Sequence, residues 1–179
     1  LEHDHTYSVS KPKNSIKKSP LPFTTSSLQQ KASNELRFSP KQTMQLAQIL
    51  YENGFITYMR TDSVIYSKEF LKKTEKFITK NYGEKYYHFQ EKKSKKMKNA
   101  QEAHEAIRPT DIERENLPQT IAPRAVKLYN LIRRNTLESC MENAKLNVIE
   151  AKITAPEKHF YKYRTELDIF PGWLIVKEI

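Results

Sequence analysis

Glycine, cysteine and long apolar runs are all scarce in this chain of 179 residues. Its three glycines, Gly54, Gly83 and Gly172, are too few and too scattered for a P-loop or a dinucleotide-binding fingerprint. Both motifs cluster glycines so that backbone amides can approach phosphate. The single cysteine, Cys140, excludes an internal disulfide and a cysteine-based zinc site, and it fits a reducing, cytoplasmic setting. No apolar run is long enough to cross a bilayer and no signal peptide is visible, so no membrane partner is expected. Acidic residues are the minority too: 31 Lys and Arg against 21 Asp and Glu leave a formal net charge of +10. A basic surface attracts polyphosphates and raises their association rate. Part of the excess is one run, Lys92, Lys93, Lys95, Lys96 and Lys98, which reads as a solvated loop. Charge alone therefore makes nucleic acid a candidate partner and no more.

What is present is enough for a core: 37% of residues are hydrophobic, including ten tyrosines and eight phenylalanines. The chain starts at Leu1 without a methionine and stops at Ile179 inside an apolar run that begins at Trp173. Both ends read as cuts inside a longer protein. Tyr7 and Val9 alternate with polar neighbours as in a short strand, and a polar linker follows from Lys11 to Pro20. Pro22-Phe23-Thr24-Thr25-Ser26 offers hydroxyl caps to a first helix that turns Leu28, Ala32 and Leu36 inward. Ser39 and Gln42 form a capping-box pair for a second helix, with Pro40 at its first position and Gly54 as its stop. Its apolar stripe is Met44, Ala47 and Tyr51, with Leu46 and Leu50 beside it.

A short apolar strand is expected at Phe55–Met59, then a turn at Arg60-Thr61-Asp62-Ser63. A third helix covers about Ser67–Asn81, burying Phe70, Leu71, Phe77 and Ile78. A short helix is expected around Ala100–Ile107, ended by Arg108-Pro109 because the residue before proline resists helical backbone. Residues 109–122 read as a loop. A fourth helix starts near Pro123, with Ala125, Leu128, Tyr129 and Ile132 at helical spacing. Beyond Asn143 the period becomes two: Tyr161, Tyr163, Thr165, Leu167 and Ile169 alternate with charged residues as in a half-buried antiparallel strand. Pro171-Gly172 then turns into a strand at Trp173–Val176. The reading is an α+β chain in which a helical block, residues 21–142, is inserted between β segments 1–20 and 143–179 of one sheet, a hinge arrangement.

Three constellations could carry chemistry. On a strand, Tyr58 and Arg60 would share a face, with Thr57 and Met59 on the other. A phenol can attack phosphorus once deprotonated, and with a free-solution pKa of about 10 it needs help near neutral pH. An arginine supplies that help and grips phosphate oxygens in a bidentate fork. Taken alone, the pair reads as a packing tyrosine beside a surface arginine. In Gln101-Glu102-Ala103-His104-Glu105-Ala106-Ile107-Arg108, a helix would place His104 and Arg108 on one face, where histidine can donate to phosphate or move a proton. Arg108 stands where a zinc H-E-x-x-H motif needs its second histidine, which excludes that motif. Taken alone, this is an amphipathic turn with Ala103, Ala106 and Ile107 inward. Thr24-Thr25-Ser26 at a helix N-terminus could hold an anion, and ordinary capping explains it equally well.

The three segments in this order are more specific than any one. Gly54-Phe55-Ile56-Thr57-Tyr58-Met59-Arg60-Thr61-Asp62-Ser63 resembles the active-site segment of type IA DNA topoisomerases of the bacterial kind. Pro22–Gln30 resembles the segment preceding it in that family, and Ala100–Thr110 the one following it. Phe170-Pro171-Gly172-Trp173 fits as well. Met59 points to the topoisomerase I branch rather than topoisomerase III, where proline is usual at that place.

The resemblance implies that Tyr58 is the nucleophile, forming a 5′-phosphotyrosyl bond with one DNA strand. It implies that Arg60 contacts the scissile phosphate and that His104 assists phosphate binding; Thr61, Asp62 and Arg108, in the same motifs, support DNA or phosphate binding. It implies a helix-turn-helix or winged-helix-like tyrosine domain on an arch. The partners it implies are single-stranded and negatively supercoiled DNA and an N-terminal acidic domain that supplies a general-acid glutamate, a lysine and an Asp-x-Asp site for Mg²⁺. No Asp-x-Asp occurs in this sequence, so no metal site is expected here, and the chain alone is expected to be inactive. The implied location is cytoplasmic, at the nucleoid. Two other readings are a non-catalytic DNA-binding module, with Tyr58 packing or stacking, and a protein-interaction domain whose charge aids solubility. The helix from Ser39 carries only Lys41 on its polar side, poor equipment for a recognition helix.

Overall fold

The computed structural model describes residues 4–89 and 105–178. Hydroxyl caps decide where its helices begin. Helix α1 (Thr25–Leu36) starts from Thr24, whose side chain accepts from the Ser27 amide while the Ser27 hydroxyl accepts from the Thr24 amide, a reciprocal capping box. Helix α2 (Pro40–Glu52) has Pro40 at its first position, and Ser39 Oγ accepts from the Gln42 amide at 3.2 Å. The reciprocal box thus sits at Thr24, while Ser39 provides one half of the pair expected there. Ser67 caps α3 (Lys68–Tyr82), which buries Phe70, Thr74 and Ile78 and half-buries Leu71 and Phe77. Helix α4 (Pro123–Ser139) starts at the expected proline and buries Ala125, Leu128, Tyr129 and Ile132.

Helix α4 serves two cores. Its first half packs with Leu28 and Ala32 of α1, Leu46, Ala47 and Leu50 of α2, and Phe55, Ile56 and Met59. Its end, with Leu137 and Cys140, packs with Phe70 and Ile78 of α3 and with Ala144, Leu146 and Trp173. Each fully buried Leu, Ile or Met contributes about 1.5–3 kcal/mol relative to an exposed one. Helix α2 is turned from the expected orientation: its buried stripe is Thr43, Leu46, Ala47 and Leu50, leaving Met44 half-buried and Tyr51 exposed. Thr43 can be buried because its hydroxyl donates to the Ser39 carbonyl at 3.0 Å.

The two ends of the chain share one antiparallel sheet. Strand β1 (Tyr7–Val9) and strand β2 (Lys13–Lys17) both pair with β3 (Ala144–Thr154), which also pairs with β4 (Phe160–Phe170). Because β4 occupies one side of β3 from residue 145 to 154, β1 and β2 lie along the other side in succession. The expected linker from Lys11 to Pro20 therefore contains a strand. Its side chains give no apolar alternation because what holds it is the β3 backbone. Strand β4 is exposed along nearly its whole length and not half-buried as expected. The exit from the sheet and the return to it are clasped: the Ser19 amide donates to Asn143 Oδ1 at 2.9 Å, and Trp173 Nε1 donates to the Lys17 carbonyl at 3.0 Å.

Three further expectations are corrected. Residues 55–59 form no strand; Ile56 makes only an isolated bridge to Pro109. The bridge is not continued, because the Phe55 amide donates to the Leu50 carbonyl at 2.9 Å and the Arg108 amide to the Thr57 side chain at 3.0 Å. The helix expected around 100–107 falls partly outside the described residues, and Glu105–Ile107 are not helical: Ile107 bridges to Phe23. Residues 172–178 form a 3-10 helix, not a strand. Its three-residue period puts Trp173 and Val176 on one buried side. Gly172, at φ +51°, admits no Cβ, because the Glu142 carbonyl oxygen would stand 2.4 Å away.

Candidate active site

Three segments distant in sequence meet at the head of α1. The Thr25 amide donates to the Thr61 carbonyl at 2.9 Å, the Thr61 amide donates to Thr25 Oγ1 at 2.9 Å, and Thr25 Oγ1 donates to the Met59 carbonyl at 2.7 Å. On the other side, the Thr57 amide donates to the Arg108 carbonyl at 2.9 Å, and Thr57 Oγ1 donates to the Ala106 carbonyl at 2.8 Å. The Ile107 amide closes the ring by donating to the Phe23 carbonyl at 2.8 Å. The backbone is thus held immediately before Tyr58 and immediately after it. Met59 is driven into the core, 1% exposed, while Tyr58 (43% exposed) and Arg60 are left outside.

The environments of the ten tyrosines separate them chemically. Burial pushes the Tyr66 phenol far above its ordinary value, and its hydroxyl pairs with Ser139 Oγ at 3.0 Å. Burial also raises Tyr82, and lifts Tyr87 and Tyr129 to about 12. Tyr129 donates to the Arg114 carbonyl at 2.8 Å, and Tyr86 is buried. Tyr7, Tyr161 and Tyr163 lie on the sheet, away from the motifs. Tyr51 and Tyr58 remain, both exposed, edge to face with ring centroids 5.3 Å apart.

Tyr58 lines an open cleft of about 280 Å³ with Tyr51, Thr57, Thr61 and Glu105. Thr57 therefore lies beside Tyr58, contrary to the opposite face a strand would give it. Arg60 lines a different cleft, with Thr24, Thr25, Ser26, Gln29, Thr61 and Asp62, so Thr61 is the wall common to both. The structure brings Arg60, Thr61 and Asp62 together at the N-terminus of α1; it does not put Tyr58 and Arg60 in one cavity. The Arg60 guanidinium has no ion pair or hydrogen bond among the described residues and lies open to an anion. Arg60 also borders a groove between α2 and the start of α4, where Lys41 and Arg124 flank Met44, Leu46, Ile49 and Pro123.

Arg108 is differently placed. Its guanidinium is 2.5 Å from the Glu105 carboxylate, donates to the Pro109 carbonyl at 3.0 Å and stacks over Phe70 at 4.1 Å. Glu105 also accepts from the Ser67 amide at 2.6 Å, so this pair braces the start of α3. Burial on its own would raise the Glu105 carboxyl, but the Ser67 hydrogen bonds and the Arg108 guanidinium outweigh it and hold it below the usual value. His104 lies outside the described residues. Sequence reasoning missed Tyr51 and Glu105 as walls of the tyrosine cleft; an aromatic at the outer edge of the α2 stripe was the available signal for the first. Among the described residues, no group of three or more His, Cys, Asp or Glu side chains could hold a metal ion, so the residues present do not fit a Mg²⁺ site.

Tyr58 on a backbone held from both sides, and Arg60 unpaired among the described residues at the head of α1, are the exposed candidates of this site. Residues 2–179 match the family model described as DNA topoisomerase, and the chain belongs to that family. It is 45% identical to DNA topoisomerase 1 of Rickettsia typhi over 150 residues, 78% of this chain and 19% of that protein. It is 43% identical to DNA topoisomerase 1 of Helicobacter pylori over 181 residues, 94% of this chain and 24% of that protein. The full-length topoisomerase I structure from Thermotoga maritima superposes with a TM-score of 0.73 at 31% identity, covering 98% of this chain and 29% of that one. The chain thus spans about a fifth to a quarter of the length of these curated relatives.

Proposed function

We propose that this chain is the tyrosine-bearing part of a type IA DNA topoisomerase and that Tyr58 is its nucleophile. The observation that carries this reading is an exposed Tyr58 on a backbone pinned on both sides by the two flanking motif segments. The Tyr58 phenol oxygen attacks the phosphorus of one DNA strand. The bond from phosphorus to the sugar O3′ breaks, leaving a 5′-phosphotyrosyl link and a free 3′-hydroxyl. Attack by that hydroxyl reverses the exchange. One phosphoester replaces another, so resealing needs no ATP, and passage of a strand through the break relaxes negative supercoils.

Arg60, open to solvent and unpaired, binds the scissile phosphate; Thr61 and Asp62 shape its approach from the head of α1. His104 and Arg108 have supporting roles, Arg108 by bracing the segment that holds Thr57. Removing the phenol proton and protonating the leaving oxygen fall to an acidic domain of the same polypeptide, which also holds Mg²⁺. Residues 21–142 form the tyrosine domain, and 1–20 with 143–179 form part of the arch on which it moves. The substrate is single-stranded or negatively supercoiled DNA, met in the cytoplasm at the nucleoid. Without the acidic domain the chain neither relaxes nor efficiently cleaves DNA.

The test mixes this chain with the separately made acidic domain of the same enzyme, Mg²⁺ and a labelled single-stranded oligonucleotide, then denatures. Label should migrate with the chain and should vanish in Tyr58→Phe. An adduct surviving Tyr58→Phe names another tyrosine. Association of the domains without any adduct favours a plain DNA-binding module.

A further inference from the structure

Tyr51 has no evident reason to be aromatic from packing alone. It sits at the end of α2, turned out of the buried stripe and 41% exposed. Its ring meets Tyr58 at 5.3 Å between centroids with 64° between planes, a T-shaped contact between two exposed side chains. The two residues differ in how they are anchored. Tyr51 belongs to a helix whose Leu46, Ala47 and Leu50 are locked in the core, within about one and a half turns. Tyr58 belongs to an irregular segment whose backbone is pinned but whose side chain projects from it into a cleft. Among the described residues, no hydrogen bond from the other walls of that cleft fixes the Tyr58 phenol. Thr57 already donates to the Ala106 carbonyl and accepts from the Arg108 amide. The Glu105 oxygens each accept one hydrogen bond, from the Ser67 amide and from Arg108.

We propose that Tyr51 is a positioning residue for Tyr58: its ring restricts the swing of the Tyr58 side chain, so that the phenol oxygen is presented in one direction when DNA arrives. This inference rests on Tyr58 being the nucleophile. An edge-to-face aromatic contact biases a side chain between orientations by a modest factor. Losing it lowers the fraction of molecules with the phenol in line, and so the rate of bond exchange, by about twofold to tenfold. Binding of DNA does not change, because Tyr51 acts through Tyr58 and not on the strand. The edge-to-face geometry uses the ring and not the Tyr51 hydroxyl, so phenylalanine serves equally.

The experiment follows the rate of covalent adduct formation at saturating oligonucleotide in the complete enzyme that the proposed function calls for. Wild type is compared with Tyr51→Phe, Tyr51→Leu and Tyr51→Ala. Oligonucleotide affinity is measured separately with each change placed in a Tyr58→Phe background. The expected result is a wild-type rate for Tyr51→Phe, a loss of about twofold to tenfold for Tyr51→Leu and Tyr51→Ala, and equal affinities throughout. Leucine keeps bulk and helix preference, so a deficit shared with alanine but absent in phenylalanine reports the ring and not the fold. Wild-type rates in Tyr51→Leu and Tyr51→Ala overturn the inference, as does a loss confined to affinity, which would place Tyr51 against DNA. An adduct that persists in Tyr58→Phe removes the proposed nucleophile itself, an outcome distinct from either of these.

Discussion

The helical block and the sheet obey opposite rules of burial. In the block, helical spacing predicts what is buried: Ala125, Leu128, Tyr129 and Ile132 of α4 are each fully enclosed. In the sheet, alternation marks burial only at the start of β3, at Ala144, Leu146 and Val148. The register with β3 puts Tyr7, Val9, Ile153, Tyr161, Tyr163 and Leu167 on one face, and every one of them is exposed. Period two reports that a strand has two faces; it does not report that anything covers either of them. The block is held by side chains meeting across helices, whereas the sheet beyond the start of β3 is held by its backbone ladder.

The largest expected effect tests that contrast directly. Leu128→Ala should cost about 2–5 kcal/mol by removing a core side chain that cannot be replaced. Leu167→Ala should stay within about 0.5 kcal/mol. Urea unfolding followed by circular dichroism checks both, and equal losses would mean that the sheet face is covered in solution. Next comes the lacing of the motifs. Thr25→Val removes the hydroxyl that serves both the Met59 carbonyl and the Thr61 amide. It should cost about 1–3 kcal/mol and reduce adduct yield in the oligonucleotide assay, while a valine on the sheet in place of Thr165 leaves the yield intact.

The smallest effect concerns pH. The Glu105 carboxyl lies below its ordinary value of 4.5 when folded, so its ionised form stabilises the fold above that pH. That contribution is lost as pH falls through the folded value. Glu105→Gln should therefore lower the melting temperature at neutral pH, and its gap from wild type should close as the solution is acidified below 4.5. A gap that persists in acid would assign Glu105 a role other than its ion pair with Arg108 and its hydrogen bond from the Ser67 amide.

Much of the helical block was legible because its signals are local: Thr24, Ser39, Ser67, Pro40 and Pro123 mark helix starts through their own chemistry. The motif segments were legible by order, and they do converge in space. What was not legible depends on partners distant in sequence. The Tyr58 segment reads as a strand from its apolar run, but the amides that would continue its one bridge bond elsewhere, Phe55 to the Leu50 carbonyl and Arg108 to the Thr57 side chain. The α2 stripe was misplaced by one position because Thr43, satisfied by Ser39, is as burial-competent as Met44. Strand β2 carries Lys-Asn-Ser-Ile-Lys, whose side chains say nothing of the β3 backbone that holds it. The pairing of Tyr51 with Tyr58 follows from that same rotation of α2, which no local pattern encodes.

The clasped exit and return of the chain have a mechanical consequence. A body tied to its base by one flexible thread can tumble about every axis. Two threads side by side, cross-linked through Ser19–Asn143 and Lys17–Trp173, resist twisting about their common length. The clasp therefore fixes how the two crossings at the foot of the block are turned relative to each other.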